Sequence, residues 1–360
     1  MSRVRTLVLL ALVLALGTGA IVEAASGGHH PESHPTFDAA NTMAEAMPRP
    51  ASPPGFQPEA DPVLIAAGDI ASCAENGDAA TAALIRGIAG TIATLGDNAY
   101  PNGGTNDFAR CYDPTWGTER YRTRPAAGNH EYNSRGAAPY FAYFGAAAGT
   151  PGQGYYSYDL GAWHIVALNS NCSQVGGCGA DSPQGQWLQS DLAASAAECT
   201  LAYWHHPLFS SGKEHGGDPA LRPFWQLLDD ADAEIVLSGH EHHYERFAPQ
   251  TPTGTADPAR GIRQFVVGTG GVGHYGFGPP QPNSEARGAG TFGVLKLTLR
   301  PAAYDWQFLP AQVQEQAKHK GGGKHKHKGK GKGKHKHKNK KSHGNRQAAV
   351  FTDAGSGACH

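Results

Sequence analysis

At 360 residues with 39% hydrophobic content, the chain is long enough for a substantial core, and its 48 Gly and 25 Pro mark it as loop-rich. A formal net charge of −1 conceals two opposed parts: residues 318–346 carry twelve Lys and one Arg with no acid, which leaves seventeen basic residues against thirty-one acids, a balance of −14, in the rest. That division excludes a uniformly basic nucleic-acid binder, and the lack of any long apolar run beyond the N-terminus excludes a polytopic membrane protein.

Arg3 and Arg5 precede an apolar run from Leu7 to Leu16, and Val22-Glu23-Ala24 follows a Gly17-Thr18-Gly19 break. A basic end, a short apolar stretch and small residues at a cleavage point read as a secretory signal peptide over residues 1–24, which puts the mature protein outside the cell or in its envelope. An uncleaved anchor is the alternative, weakened by the shortness of the run. Residues 25–60, rich in Pro, Ala, Gly and Ser, read as a disordered linker in which His29, His30 and His34 are bystanders. Cys73, Cys111, Cys172, Cys178, Cys199 and Cys359 are an even number in an exported chain and lack the paired spacings of a zinc site, so they read as disulfides. Fifteen pairings are open, and Cys172–Cys178 is the easiest local loop to close.

From Asp61 to Pro310 the pattern is that of one packed domain. Apolar runs at Val63–Ala67, Thr91–Leu95, Trp163–Leu168, Leu201–Trp204, Glu234–Leu237, Phe265–Val267 and Val294–Leu299 predict strands, and helical spacing falls at Ala79–Ile88, Gln184–Ala194 and Leu221–Leu228. Strands alternating with helices imply a layered α/β fold, with mixed rather than purely parallel sheets because strands crowd together after Gly154. Residues 311–346 contain the low-complexity Lys/His/Gly tract, which has nothing to bury and reads as disordered. Residues 347–360 follow; Ala348 to Phe351 are expected to return to the domain as a last strand, making the tract an excursion rather than a tail.

Metal-binding residue types recur where the apolar runs end: Gly68-Asp69, Gly96-Asp97-Asn98-Ala99-Tyr100, Gly128-Asn129-His130-Glu131, His205-His206-Pro207 and Gly239-His240-Glu241-His242. The carboxyl ends of strands in α/β sheets line the ligand crevice, so these groups can converge, with the glycines expected to turn the chain sharply beneath each ligand. Two cations about 3.5–4 Å apart, held by oxygen and nitrogen ligands with one bridging carboxylate, clamp a phosphate and activate water near neutral pH.

In this order the five motifs resemble the calcineurin-like metallophosphoesterases, and Tyr100, three residues after Asp97, resembles the purple acid phosphatase branch. The resemblance spans about Leu64 to Phe247, with the strands to Pro310 included in the domain. It implies a sandwich of two mixed β-sheets flanked by helices, with a first metal on Asp69, Tyr100 and His242, a second on Asn129, His205 and His240, and Asp97 bridging. A tyrosinate ligand implies Fe(III) in the first site with Zn, Mn or Fe(II) in the second. Such a pair, set against two carboxylates, a tyrosinate and a bridging hydroxide, keeps a net positive charge that attracts phosphate. His130 resembles the family histidine that protonates the leaving alkoxide, and His215 one that contacts substrate, although Glu214 stands where plant relatives have a second His.

The expected activity is hydrolysis of phosphomonoesters through a metal-held hydroxide. Alternatives are a phosphodiesterase with the same metals, or a non-enzymatic protein that binds envelope polymers through the basic tract. That tract is also the candidate for holding the protein on anionic polymers, without specific nucleic-acid recognition. His164, His206 and His243 read as structural or packing groups, His274 as a candidate for the site rim, and Glu245 with Arg246 as an ion pair or a loop brace.

Overall fold

The structure, a computed structural model, describes residues 60–313 and 350–360; the expected signal peptide, nearly all of the expected linker and the Lys/His-rich tract lie outside the described residues. β1 (Val63–Ala67), β2 (Thr91–Leu95) and β3 (Thr123–Ala126) run parallel, with α1 (Gly77–Arg86) between the first two. After α2 (Ala138–Phe144), the hairpin of β4 (Tyr156–Leu160) and β5 (Trp163–Ala167) starts a second sheet. That sheet grows through α3 (Pro183–Ala194), β6 (Cys199–Tyr203), α4 (Arg222–Asp229), β7 (Ile235–Ser238), β8 (Tyr244–Phe247), β9 (Arg263–Val267) and β10 (Ser284–Gly288). The chain then returns to the first sheet as β11 (Gly293–Arg300), β12 (Ala303–Pro310) and β13 (Asp353–Ala358). The spatial orders are β13-β12-β11-β1-β2-β3 and β10-β8-β9-β7-β6-β5-β4, each mixing parallel and antiparallel pairs.

The continuous apolar runs follow from burial on both faces. Along β5, Ile165 and Ala167 pack between the sheets while Val166 faces the helical layer, and β6 repeats this with Leu201 and Tyr203 against Ala202. Strands covered on both sides need apolar residues at every position, not at alternate ones. α4 completes the outer layer by burying Phe224, Trp225 and Leu228, each worth roughly 1.5–3 kcal/mol of transfer free energy. Among the described residues no helix is long and apolar enough to cross a membrane.

The C-terminal segment does return to the domain, with a change from expectation. The strand is the Gly/Ser run Asp353–Ala358, while Phe351 packs beside it against Tyr244 and Phe308. Tyr304 and Trp306 lie over this strand so closely that a Cβ at Gly355 or Gly357 would fall 2.3 or 2.4 Å from their rings, so flat glycines pair there and bulkier side chains do not. Register also fixes where residues 311–349 leave and re-enter. Leu295 pairs with Ala66 of β1, Gly293 with Pro310 and Phe308 with Asp353, so both flanking segments lie at the end of the sheet where β1 finishes.

Three disulfides form: Cys73–Cys111, Cys172–Cys178 and Cys199–Cys359. The first joins the loop after β1 to the loop after β2, and the last ties the start of β6 to the chain end, closing 160 residues of sequence. Closing so long a loop removes much of the unfolded chain's freedom.

His164 on β5 is held between Asp191 of α3, 2.9 Å from Nε2, and Asp159 of β4, 3.1 Å from Nδ1. The Asp191 contact outweighs burial and, with Asp159, raises the imidazole above its usual value. A proton held more tightly in the folded state stabilises fully below the unfolded pKa of about 6.5, and that contribution is lost as pH rises through the higher folded value. His164→Gln should therefore cost roughly 1 kcal/mol more stability at about pH 5.5 than at about pH 8.5 in urea unfolding, whereas equal losses would remove the charged strut.

Candidate metal centre

Each candidate ligand stands in the turn that follows a strand. Asp69 follows β1, Asp97 and Tyr100 follow β2, Asn129 follows β3, His205 follows β6, and His240 and His242 follow β7. One sheet thus supplies the carboxylates, the phenol and the amide, and the other supplies the imidazoles. Asp69, Asp97 and His240 adopt left-handed φ values of 59°, 50° and 69°. A non-glycine residue there costs on the order of 1–3 kcal/mol, so the surrounding structure must impose it. It does so through Asp69 N–H to Gly96 O (3.1 Å), Ile70 N–H to Asp97 O (3.0 Å) and His240 N–H to Asp69 Oδ2 (2.8 Å).

The glycines before the ligands serve closeness more than turning. A Cβ on Gly128 would lie 2.1 Å from Asp97 Oδ1, and one on Gly239 would lie 2.8 Å from Asp69 Oδ2. Only Gly96, at φ 84°, needs the left-handed freedom expected of all of them.

The seven side chains form two triads around Asp97. Tyr100 Oη lies 3.0 Å from Asp69 Oδ1 and 3.1 Å from His242 Nε2, which is itself 3.3 Å from Asp69 Oδ1. On the other side His205 Nε2 lies 3.0 Å from Asn129 Oδ1 and 3.2 Å from His240 Nδ1. Asp97 Oδ2 reaches both, at 2.9 Å from Tyr100 Oη and 3.3 Å from His205 Nε2.

These donors fit cations. His205 and His242 give their Nδ1–H to the carbonyls of Leu95 (2.8 Å) and Gly273 (2.7 Å), which turns each Nε2 toward the other ligands. Lone pairs of nitrogen, amide oxygen and carboxylate so placed repel unless positive charge lies among them. Burial pulls the His205 imidazole down, yet Asp97 and Asp69 hold it up, to about 9. Burial opposes the Asp97 charge, but His205 and His130 keep that carboxyl well below the usual range. His240, buried beside His205, is pushed far down and stays a neutral donor. Separations of 3.0–3.3 Å are polyhedron edges for metal–ligand bonds of about 2.0–2.2 Å.

Around this set, His130 sits half-buried on the Tyr100 ring, centroids 4.2 Å apart. Its Nδ1–H donates to Pro101 O at 2.6 Å, and its Nε2 lies 3.8 Å from Asp97 Oδ2. The His215 ring lies over His240, centroids 4.3 Å apart. His206 hydrogen-bonds Ser170 Oγ through Nδ1 (2.7 Å) beside His240; burial and His205 keep it neutral, down to about 3.

The candidate at the rim changes, and of the two roles weighed for Glu245 and Arg246 the loop brace holds. His274 turns to the Phe292 ring, and the rim position goes to its neighbour Tyr275, stacked on His242 at 3.9 Å with planes 9° apart. Glu245 and Arg246 do not pair with each other, because successive residues on β8 face opposite ways. Arg246 binds Asp353, and Glu245 accepts from Ser211 and Ser284.

Glu131, present in the motif but given no role from sequence, is fully buried. It accepts the N–H of Asp97 (3.0 Å), Asn98 (2.8 Å) and Gly128 (2.7 Å), fastening two ligand loops together, and burial pushes its carboxyl upward. An acid directly after Asn129-His130 is the signal that could have found it. A cleft of about 1100 Å³ between residues 146–157 and α3 contains no His, Cys, Asp or Glu in its lining and so offers no counterpart to the donors gathered at the strand ends.

Comparison with known proteins agrees with this geometry. A family profile described as calcineurin-like phosphoesterase matches residues 34–244. The chain is 30% identical to purple acid phosphatase 22 of Arabidopsis thaliana over 239 residues, 56% of this chain and 52% of that protein. It is 29% identical to an uncharacterized protein of Mycobacterium tuberculosis over 199 residues, 45% and 37% of the two chains. The chain therefore spans about half or less of the length of these curated relatives. Among solved structures, a purple acid phosphatase from yellow lupin (Lupinus luteus) seeds superposes with a TM-score of 0.61 at 18% identity, covering 70% of this chain and 52% of that one, which shows a shared fold. The chain belongs to the calcineurin-like phosphoesterase family, and within it resembles the purple acid phosphatases.

Proposed function

We propose that the protein is a binuclear-metal phosphatase that hydrolyses phosphomonoesters outside the cell. The observation that carries this reading is the meeting of two ligand triads at Asp97 Oδ2, 2.9 Å from Tyr100 Oη and 3.3 Å from His205 Nε2. Asp69, Tyr100 and His242 would hold one metal, Asn129, His205 and His240 the other, with Asp97 shared; Fe(III) in the first and Zn, Mn or Fe(II) in the second is the pairing favoured by a phenol ligand. Bound there, the metals supply Lewis-acid activation of water and of the phosphoryl group.

The chain's own residues do the rest. Asn129 contributes a neutral oxygen and leaves positive charge for the phosphate. His130 keeps its Nδ1–H on Pro101 O and presents Nε2 toward Asp97, so the protonated ring can hand a proton to a leaving oxygen from Nε2 without changing its anchor. His215, over His240, is placed to meet the substrate from the opposite wall. Export is supported by the N-terminal pattern and by three disulfides, which persist in oxidising compartments. The Arabidopsis and lupin relatives are named purple acid phosphatases, which supports the phosphatase part of the monoester assignment. Aryl phosphate assayed against bis-aryl phosphate tests it, and preference for the diester would replace it.

The cationic tract adds to this reading. Twelve Lys, one Arg and six His lie between segments that leave and re-enter at the end of the sheet bearing the metal ligands, where they would hold the enzyme on anionic polymers near its site.

Three outcomes are expected. The metal-loaded protein should absorb visible light through a tyrosinate–iron band that Tyr100→Phe abolishes; zinc or manganese in both sites without a band would remove the iron assignment and leave the hydrolase. His130→Ala should lower kcat roughly 10²–10³-fold for alkyl phosphates but less than about tenfold for nitrophenyl phosphate, whose leaving group needs no proton; equal losses would deny it the acid role. Deleting residues 318–346 should abolish salt-sensitive retention on an anionic matrix, and unchanged retention would contradict the tethering role.

A further inference from the structure

The segment from His240 to Glu245 alternates in the use of its side chains. His240 and His242 face the metal ligands, while Glu241, His243 and Glu245, all fully buried, face away beneath the loop Ser211–Gly216. Glu241 Oε1 accepts the N–H of His215 at 2.8 Å and that of Gly216. Glu245 Oε2 accepts the N–H of Ser211 at 2.7 Å, and its other oxygen is held by Ser284 Oγ at 2.6 Å. Both ends of one short loop are thus fastened to buried carboxylates.

Between the carboxylates stands His243, its Nδ1 4.0 Å from Glu241 Oε2 and its Nε2 3.7 Å from Glu245 Oε2, with its ring against Phe277. Neither nitrogen has a hydrogen-bond partner, nor has Glu241 Oε2. Three unpartnered buried polar atoms, two on His243 and one on Glu241, carry a cost that calls for an explanation. The loop has no freedom to drift from them. A Cβ on Gly212 would lie 2.1 Å from Glu241 Cδ, and the loop's outer edge pairs with the chain at Gly276–Gly278 through Lys213 N–H to Gly276 O and Gly278 N–H to Ser211 O. The residue delivered by this arrangement is His215, whose ring rests 4.3 Å from His240 and 5.6 Å from Tyr275.

We infer that Glu241 and Glu245, spaced by His243, are positioning residues that fix the Ser211–Gly216 loop and so set where His215 meets the substrate. Substrate selection by this wall then depends on carboxylates that never touch the substrate. The kinetic part of this inference rests on the phosphatase reading; the loop itself can be followed without it.

The test compares the metal-loaded full chain with Glu241→Ala, Glu241→Gln, His215→Ala and the double variant Glu241→Ala/His215→Ala. Glu241→Ala should raise KM for an aryl phosphate on the order of tenfold with a smaller change in kcat and unchanged metal content, and the double variant should be no worse than His215→Ala. Glu241→Gln, which keeps a carbonyl oxygen for the two N–H groups, should recover most of the loss. Trypsin should cut after exposed Lys213 roughly tenfold faster in Glu241→Ala than in the wild type, with His215→Ala unchanged. Kinetic losses that multiply in the double variant, or unaltered cutting at Lys213, would overturn the inference. Should Glu241→Ala fail to fold, Glu245→Ala carries the same proteolysis comparison at the other end of the loop, with Glu245→Gln as its acceptor-retaining control. A metal-loaded wild type inert toward every phosphate ester would count against the phosphatase reading, and the trypsin comparison would still decide the loop's dependence on Glu241.

Discussion

Electrostatic frustration among convergent ligands is the constraint to which the rest of the molecule answers. Asp97 meets a phenol and an imidazole at one oxygen, with a second imidazole, that of His130, close by, while its other oxygen accepts the His130 N–H at 2.8 Å. Holding two carboxylates, an amide oxygen and three imidazoles this close is unfavourable without cations, and the fold keeps them there by several independent means. Three ligand residues are forced into left-handed backbone, glycines remove the Cβ atoms that would separate the loops, Glu131 ties the loop after β2 to the loop after β3, and Cys73–Cys111 ties the loop after β1 to the loop after β2. Local strain of this kind persists where the surroundings over-determine it, and it preorganises a site before metal or substrate arrives.

Much of this was legible in the sequence because strand runs and ligand types are local signals. The apolar runs became strands within two residues of their expected bounds, and each ligand motif stands directly beyond a strand. Among the elements that went unread, two owe their stability to tertiary contacts. β13 is a Gly/Ser run with no strand propensity, and it pairs because the Trp306 and Tyr304 rings lie over its glycines while Cys199–Cys359 fastens its end. β10, reading Ser284-Glu285-Ala286-Arg287-Gly288, has no large apolar side chain and is held at the sheet edge by β8.

Within the site, the side chains missed were those whose partners are backbone amides. Glu131 and Glu241 stand inside motifs, yet nothing in their spacing says that they point away from the metals to hold loops. His274 and Tyr275 show the complementary difficulty. Adjacent residues in a glycine-rich loop point in different directions, and only the packing of Phe292 and His242 settles which of them reaches the rim. Residue type pointed to the candidate ligands, whereas three-dimensional contact was needed to find what holds them.

The candidate metal centre thus lies at the same end of the first sheet as the two stretches that flank the cationic segment. In the proposed centre Asp97 is shared by two metal ions. Anomalous diffraction from crystals of the metal-loaded protein tests this most directly. Two peaks about 3.5–4 Å apart, with Asp97 touching both and the two triads divided between them, are the result the account predicts. A single peak, or a pair in which Asp97 contacts neither ion, would contradict it.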